Sequence, residues 1–339
     1  MFKKYVSLNT LGFSRSLLAA GMLLTIMFNN IKLLLPQGYL QTNSLSSIGK
    51  YVNFFVLLGP EKMIVMQVIA IFLLLITISG YFIQITCFLH FWIAASFYFF
   101  RPLNVGGDSI NMLLTLLLIP VCLFDERINH WNKPAIPSKL HTNVQTIFLI
   151  LIKLQVSYIY WDAVIKKLLT PEWRNGTIIY YWFNHNFFGL EASFTKYTTN
   201  LLTSLPVLLF IAWITIAVEA LIATAVFWSD RNKTGLLKLA IIFHLWIMLV
   251  LGFSSFFFAI SGGLFLYLYP TQKRFGPLYK NQFTLFYSYI ILILIIANLL
   301  PVSGTNSMIN TLLVLTGLPL LFIRKQGASL NTLHKLLKL

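Results

Sequence analysis

The sequence predicts an all-α fold, a polytopic integral membrane helical bundle of about eight to ten transmembrane helices. Three observations predict it. Hydrophobic residues make up 58% of the 339-residue chain and charged residues only 10%, against roughly 25% charged in a typical soluble domain. Apolar runs close to the ~20 residues needed to cross a bilayer follow one another through most of the chain. Those runs are continuous, as in Met63–Gly80 and Tyr287–Leu300, whereas barrel strands would be about ten residues long and alternate in polarity.

The elements follow in order. The first span is Leu11–Leu35. Its apolar part follows Lys3, Lys4 and Arg15, the charge order of a signal peptide, but no small-x-small cleavage site follows. It is therefore expected to remain as a helix. Met63–Phe100 is one apolar stretch that Ser79-Gly80 divides into Met63–Gly80 and Tyr81–Phe100. Ser109–Phe124, Val144–Ile165 and Leu205–Trp228 come next. Leu239–Tyr269 divides near Gly252 into Leu239–Leu251 and Ser255–Tyr269, and Phe283–Leu300 and Met308–Ile323 complete the set. Residues 1–327 are read as one membrane domain. Residues 328–339 carry Leu330, Leu333, Leu336 and Leu337 beside Lys335 and Lys338, a short basic amphipathic tail suited to an anionic inner leaflet.

The formal net charge is +16, yet the basic residues sit at the ends of apolar runs instead of forming a cluster. That pattern excludes nucleic acid as a partner and names the lipid bilayer instead. With the N-terminus in the cytoplasm and sides alternating, basic residues fall about two to one inside, so both termini are expected to be cytoplasmic in a multi-pass cell-membrane protein. Two external stretches are polar or aromatic, Gln37–Lys62 and Lys166–Ser204. Cys87 and Cys122 lie in apolar runs and read as buried small hydrophobes.

Ionisable groups inside a membrane are functional hypotheses by default, and the chain has only nine acids. Three constellations stand out. In Arg101-Pro-Leu-Asn104-Val-Gly-Gly-Asp108, the Pro and Gly residues make a turn and Asp108 can cap a helix starting at Ser109. Alternatively Arg101, Asn104 and Asp108 form a polar binding site at the outer mouth. In the segment from Trp161 to Gly176, Asp162 and Lys166 are four apart and can pair on one helix face. Thr170-Pro171-Glu172 reads as a cap and first turn of a new helix. Lys166 and Lys167 either snorkel at the membrane edge or form a desolvated basic site beside Trp173. Glu219 and His244 lie mid-helix and can form a buried polar pair, for packing or for proton handling. No HExxH or CxxC spacing is present, and no metal is expected.

These constellations, in this order, resemble the HTTM (horizontally transferred transmembrane) domain family, which includes the membrane part of vitamin K-dependent gamma-carboxylase. The resemblance runs through Phe13-Ser-Arg15, Arg101-Pro-Leu, Gly106-Gly-Asp108, Tyr158–Lys167 with Trp173 and Gly176, Glu219, His244 and the Phe-rich run Phe256–Phe265. Within that family the chain is most similar to proteins of the sporulation-delaying protein B type, from antimicrobial-peptide systems. The resemblance implies a bacterial membrane protein for maturation or export of a secreted toxin peptide. Its partners would be the toxin precursor and a small partner protein. The carboxylase likeness implies an alternative, a membrane enzyme with Lys167 as base, assisted by Lys166 and His244, and a reduced quinone as co-substrate. The run Lys166-Lys167-Leu168-Leu169-Thr170-Pro171-Glu172-Trp173 is one residue longer before the tryptophan than in the carboxylase. No counterpart of the carboxylase's large extracytoplasmic domain is present in the sequence. A transporter or immunity protein is the third reading.

Overall fold

The computed structural model describes residues 8–36, 38, 51–103, 106–132, 139–185 and 203–269. All of them fall in the first of two compact units, Met1–Phe275. Among the described residues the helices are α1 (Leu8–Phe28), α2 (Ile31–Leu34), α3 (Met63–Ser79), α4 (Ile83–Phe100), α5 (Gly106–Leu123), α6 (Lys139–Leu169), α7 (Pro171–Arg174), α8 (Thr177–Phe183), α9 (Leu205–Thr224), α10 (Asp230–Leu251) and α11 (Ser254–Leu268). Among the described residues six helical stretches are long and apolar enough to cross a membrane, those containing α1, α3, α4, α5, α6 and α9. The chain is thus a multi-pass, all-α membrane protein. The first eight expected spans each correspond to a helix. Phe283–Leu300, Met308–Ile323 and the tail from Ala328 lie outside the described residues.

The breaks between helices have local causes. The expected divisions hold: α3 stops at Gly80 with φ 88°, and α10 stops at Gly252 with φ 73°, the left-handed cap that glycine adopts without a Cβ clash. The first span is shorter than expected, because Asn29 and Asn30 interrupt it. The Asn29 side chain donates to the Thr25 carbonyl at 2.8 Å, and Asn30 accepts from the Lys32 amide at 3.0 Å, so both compete with the helical ladder. Helix α6 is longer than the expected Val144–Ile165. Its 31 residues span roughly 46 Å, more than the ~30 Å hydrocarbon layer, so its polar ends reach both interfaces.

Part of the expected outer loop is also built into the bundle. Phe54–Val56 forms a buried 3-10 turn capped by Asn53. The Phe54 amide donates to Ser96 Oγ at 2.9 Å and Trp92 Nε1 donates to the Val52 carbonyl at 2.6 Å. These bonds return backbone groups that lipid could not satisfy.

The bundle packs as membrane helices do, through small residues and side-chain-to-backbone hydrogen bonds. Gly107 of α5 sits so close to α11 that a Cβ there would lie 2.7 Å from Phe256 Cα. Asn111 Nδ2 donates to the Leu18 carbonyl, joining α5 to α1. Gln67 donates to the carbonyls of Ile26 and Asn29, joining α3 to α1. Ser157 of α6 and Tyr267 of α11 both donate to the Ala223 carbonyl near the end of α9. Both cysteines are buried and free, as expected.

At the end of the bundle formed by the α3–α4 corner, the loop after α5 is docked. Its Ile128 carbonyl accepts from the Phe82 amide, and its His130 amide donates to the Gly80 carbonyl. The His130 ring then reaches Arg15 of α1, with Nδ1 3.3 Å from Nη1, while Arg15 Nη2 donates to Thr86 at 2.9 Å. A guanidinium only donates, so His130 Nδ1 is the acceptor and the ring is neutral. Burial, reinforced by the Arg15 and Arg127 cations, holds the imidazole well below its usual 6.5. The unfolded chain therefore binds a proton below about pH 6.5 that the folded chain refuses, and stability is lost as pH falls from there. Wild type in detergent should melt at lower temperature at about pH 5.5 than at about pH 7.5. His130→Gln should melt lower at the higher pH and show a flatter dependence. Equal slopes for the two proteins would contradict this assignment.

Candidate functional site

Helices α6 and α9 run antiparallel. Ser157 meets Ala223 near the end of α9, and further along α6 Lys167 meets Glu219, nearer the start of α9. Side chains on a helix lean toward its N-terminus, so these two lean toward each other. Lys167 Nζ donates to Glu219 Oε2 at 2.6 Å, with only 16% and 9% of the two side chains exposed. The ammonium also lies 5.0 Å from the centre of the Trp173 ring, a cation–π contact. The pair is sunk into the bundle, where each charge depends on the other for solvation.

Trp173 is delivered by the turn after α6. Thr170 was expected to cap the next helix, but its hydroxyl donates back to the Lys166 carbonyl at 2.7 Å and makes no cap hydrogen bond. Gly176 then takes φ 81° between α7 and α8. Its missing Cβ would lie 2.8 Å from the Leu209 amide nitrogen, so glycine alone lets this corner rest on α9. Ile179 and Phe183 of α8 pack on Leu208 and Ala212, and Trp213 Nε1 donates to the Arg174 carbonyl.

These elements enclose a cavity of about 630 Å³. Lys167, Lys166, Asp162 and Trp173 face it, together with Trp182, Trp246, Phe253 and Phe256. That is a mainly apolar pocket with a few convergent polar groups, the usual composition of a ligand site.

The remaining predicted residues are distributed around it. Asp162 and Lys166 pair as expected, at 2.7 Å, with Lys166 73% exposed. Arg101 and Asp108 also pair, at 2.7 Å. Helix α5 begins at Gly106, not Ser109, and Asp108 sits in its first turn with a buried side chain, so it serves as Arg101's counter-charge. Leu103 and Gly106, between the two, line the cavity. Asn104 lies outside the described residues.

Glu219 and His244 take different partners. Glu219 bonds Lys167, whereas His244 Nε2 lies 2.6 Å from the Tyr160 hydroxyl. His244 meets the cavity wall through Phe256, with ring centres 5.5 Å apart, and its Nδ1 has no hydrogen-bond partner among the described residues. Sequence reasoning missed Tyr160. The signal was available, since Tyr160, Val164 and Lys167 recur at i, i+4 and i+7 and share one helix face. Among the described residues no three His, Cys, Asp or Glu side chains converge as a metal site would require.

The two lysines should behave oppositely. Removing one partner of a buried pair leaves the other charge bare and costs about 3–5 kcal/mol, whereas an exposed pair contributes little. Lys167→Met should lower the melting temperature in detergent strongly, and Lys166→Met should leave it unchanged. Equal effects would mean that Lys167 is only an interfacial anchor.

No family profile matches the chain, and no solved structure matches it. It is 30% identical over 285 residues to the sporulation-delaying protein SdpB of Bacillus subtilis (strain 168), covering 80% of this chain and 86% of that protein. It is also 28% identical over 276 residues to the uncharacterized protein YitO of the same organism, covering 78% and 86%. At that identity and coverage, the chain belongs to the SdpB family.

Proposed function

We propose that this protein acts in the maturation or export of a secreted toxin peptide of the sporulation-delaying type. The observation that carries the reading is the cavity lined by Trp173 and by Lys167, which Glu219 holds from behind, in a chain of the SdpB family. On the positive-inside reading both termini are cytoplasmic and this cavity lies toward the outer face. A precursor passing outward would meet it there. The small partner protein of the same system would supply recognition surface beyond the membrane helices.

A second reading has its own support. The resemblance to the carboxylase would make Lys167 the counterpart of its base, and Lys167 borders the cavity. Its Nζ lies 2.6 Å from Glu219 Oε2. To act as a base it would first pass its proton to that carboxylate, so the pair would work as one acid–base unit. The reduced quinone of that reading would be held by the aromatic wall and would supply the driving chemistry when bound.

Mass spectrometry of the secreted peptide separates the two. Deletion should abolish active toxin. If Lys167→Ala secretes a peptide of altered mass, the protein is an enzyme and the mass difference names its reaction. If secretion falls, the remaining peptide keeps its mass and the variant is present and folded in the membrane, the protein is an export or assembly factor. Unchanged active toxin in the deletion strain would overturn the proposal.

A further inference from the structure

We infer that the cavity selects an electrically neutral, apolar peptide segment and rejects one carrying a charge. The choice of a peptide as occupant rests on the function proposed above; the selectivity follows from the wall itself. Each charge facing the cavity is already matched. Lys166 is held by Asp162 and Lys167 by Glu219, both within 2.7 Å. Lys167 is further covered by the Trp173 ring. An incoming anion would have to displace Asp162 or Glu219, and an incoming cation would have to displace a lysine. At the buried Lys167–Glu219 pair either exchange strands a charge in a desolvated wall, which costs more than the new contact returns; at the exposed Lys166–Asp162 pair water screens the loss.

The rest of the wall is mainly apolar. Trp182, Trp246, Phe253 and Phe256 give apolar faces. Of the neighbouring polar groups, Arg101 is held by Asp108 and His244 Nε2 by Tyr160, while His244 Nδ1 has no partner among the described residues. Specificity of this kind works by penalty against the wrong ligand as much as by attraction to the right one.

Tryptophan fluorescence reads the cavity directly, since Trp173, Trp182 and Trp246 border it. The full chain in lipid nanodiscs would be titrated with a capped pentapeptide of leucine and phenylalanine. Two further probes would carry lysine or aspartate at the central position. The neutral probe should bind, and the charged probes should bind about tenfold or more weakly. Ala163→Trp, which fills the cavity from α6, should abolish binding.

The pair itself supplies a sharper readout. Lys167→Met bares Glu219 and should turn the preference toward the lysine probe. Glu219→Gln bares Lys167 and should turn it toward the aspartate probe. If either single variant fails to fold, the double variant Lys167→Met, Glu219→Gln removes both charges and should keep the preference for the neutral probe. Equal binding of all three probes, or binding indifferent to Ala163→Trp, would overturn the inference. So would quenching by brominated phosphatidylcholine that no peptide relieves, which would make the cavity a lipid site. Neutral selectivity with active toxin in the deletion strain would sink the proposed function and leave the site standing. Toxin dependence without selectivity would do the reverse.

Discussion

The buried ion pair between Lys167 and Glu219 is the constraint on which the rest of the site depends. Neither charge could stand alone at that depth. A carboxylate within α9 without a cation would be a large desolvation cost, and among the described residues Glu219 is the acid bonded to the ammonium. Together they fix the register of α6 against α9, because their reach is limited and both side chains lean toward each other. The register in turn sets where α6 ends. The turn at Thr170 and the glycine at 176 then carry Trp173 onto the ammonium and α8 onto α9. The cavity is what remains between these elements and α10, α11 and the start of α5.

A second buried cation works differently. Arg15 is 3% exposed and has no carboxylate partner among the described residues; Thr86 and His130 accept its hydrogen bonds. It locks a loop onto the α3–α4 corner, away from the cavity. Two intramembrane cations thus serve two ends. The one paired with an acid borders an open space, and the one solvated by neutral acceptors is packed shut.

Much of this was legible in the sequence. Continuous apolar runs gave eight of the eleven helices described, and Gly80 and Gly252 marked two of their ends. The pairs Asp162–Lys166 and Arg101–Asp108 were readable because both are local, within one helix or across one turn. The pairing of Glu219 was not. Glu219 and His244 looked like natural partners because both are polar in apolar runs, but spacing along the chain says nothing about which helices pack. Tyr160 escaped notice because a tyrosine near an interface reads as a belt residue. Only its helical phase with Lys167 separates the two roles. The aromatic wall was hidden for a related reason: in a chain with 30 phenylalanines, composition cannot tell which rings face lipid and which face a cavity.

The most direct test is a charge-reversal cycle on the pair, read as melting temperature in detergent. Lys167→Glu and Glu219→Lys should each lower it sharply, since each puts two like charges together in a desolvated wall. The double reversal should recover most of the loss, because it restores an opposite pair on the same two helices. A double variant that loses the sum of the two single effects would mean that the residues act independently. The pair would then not be what holds α6, α9 and the cavity in place.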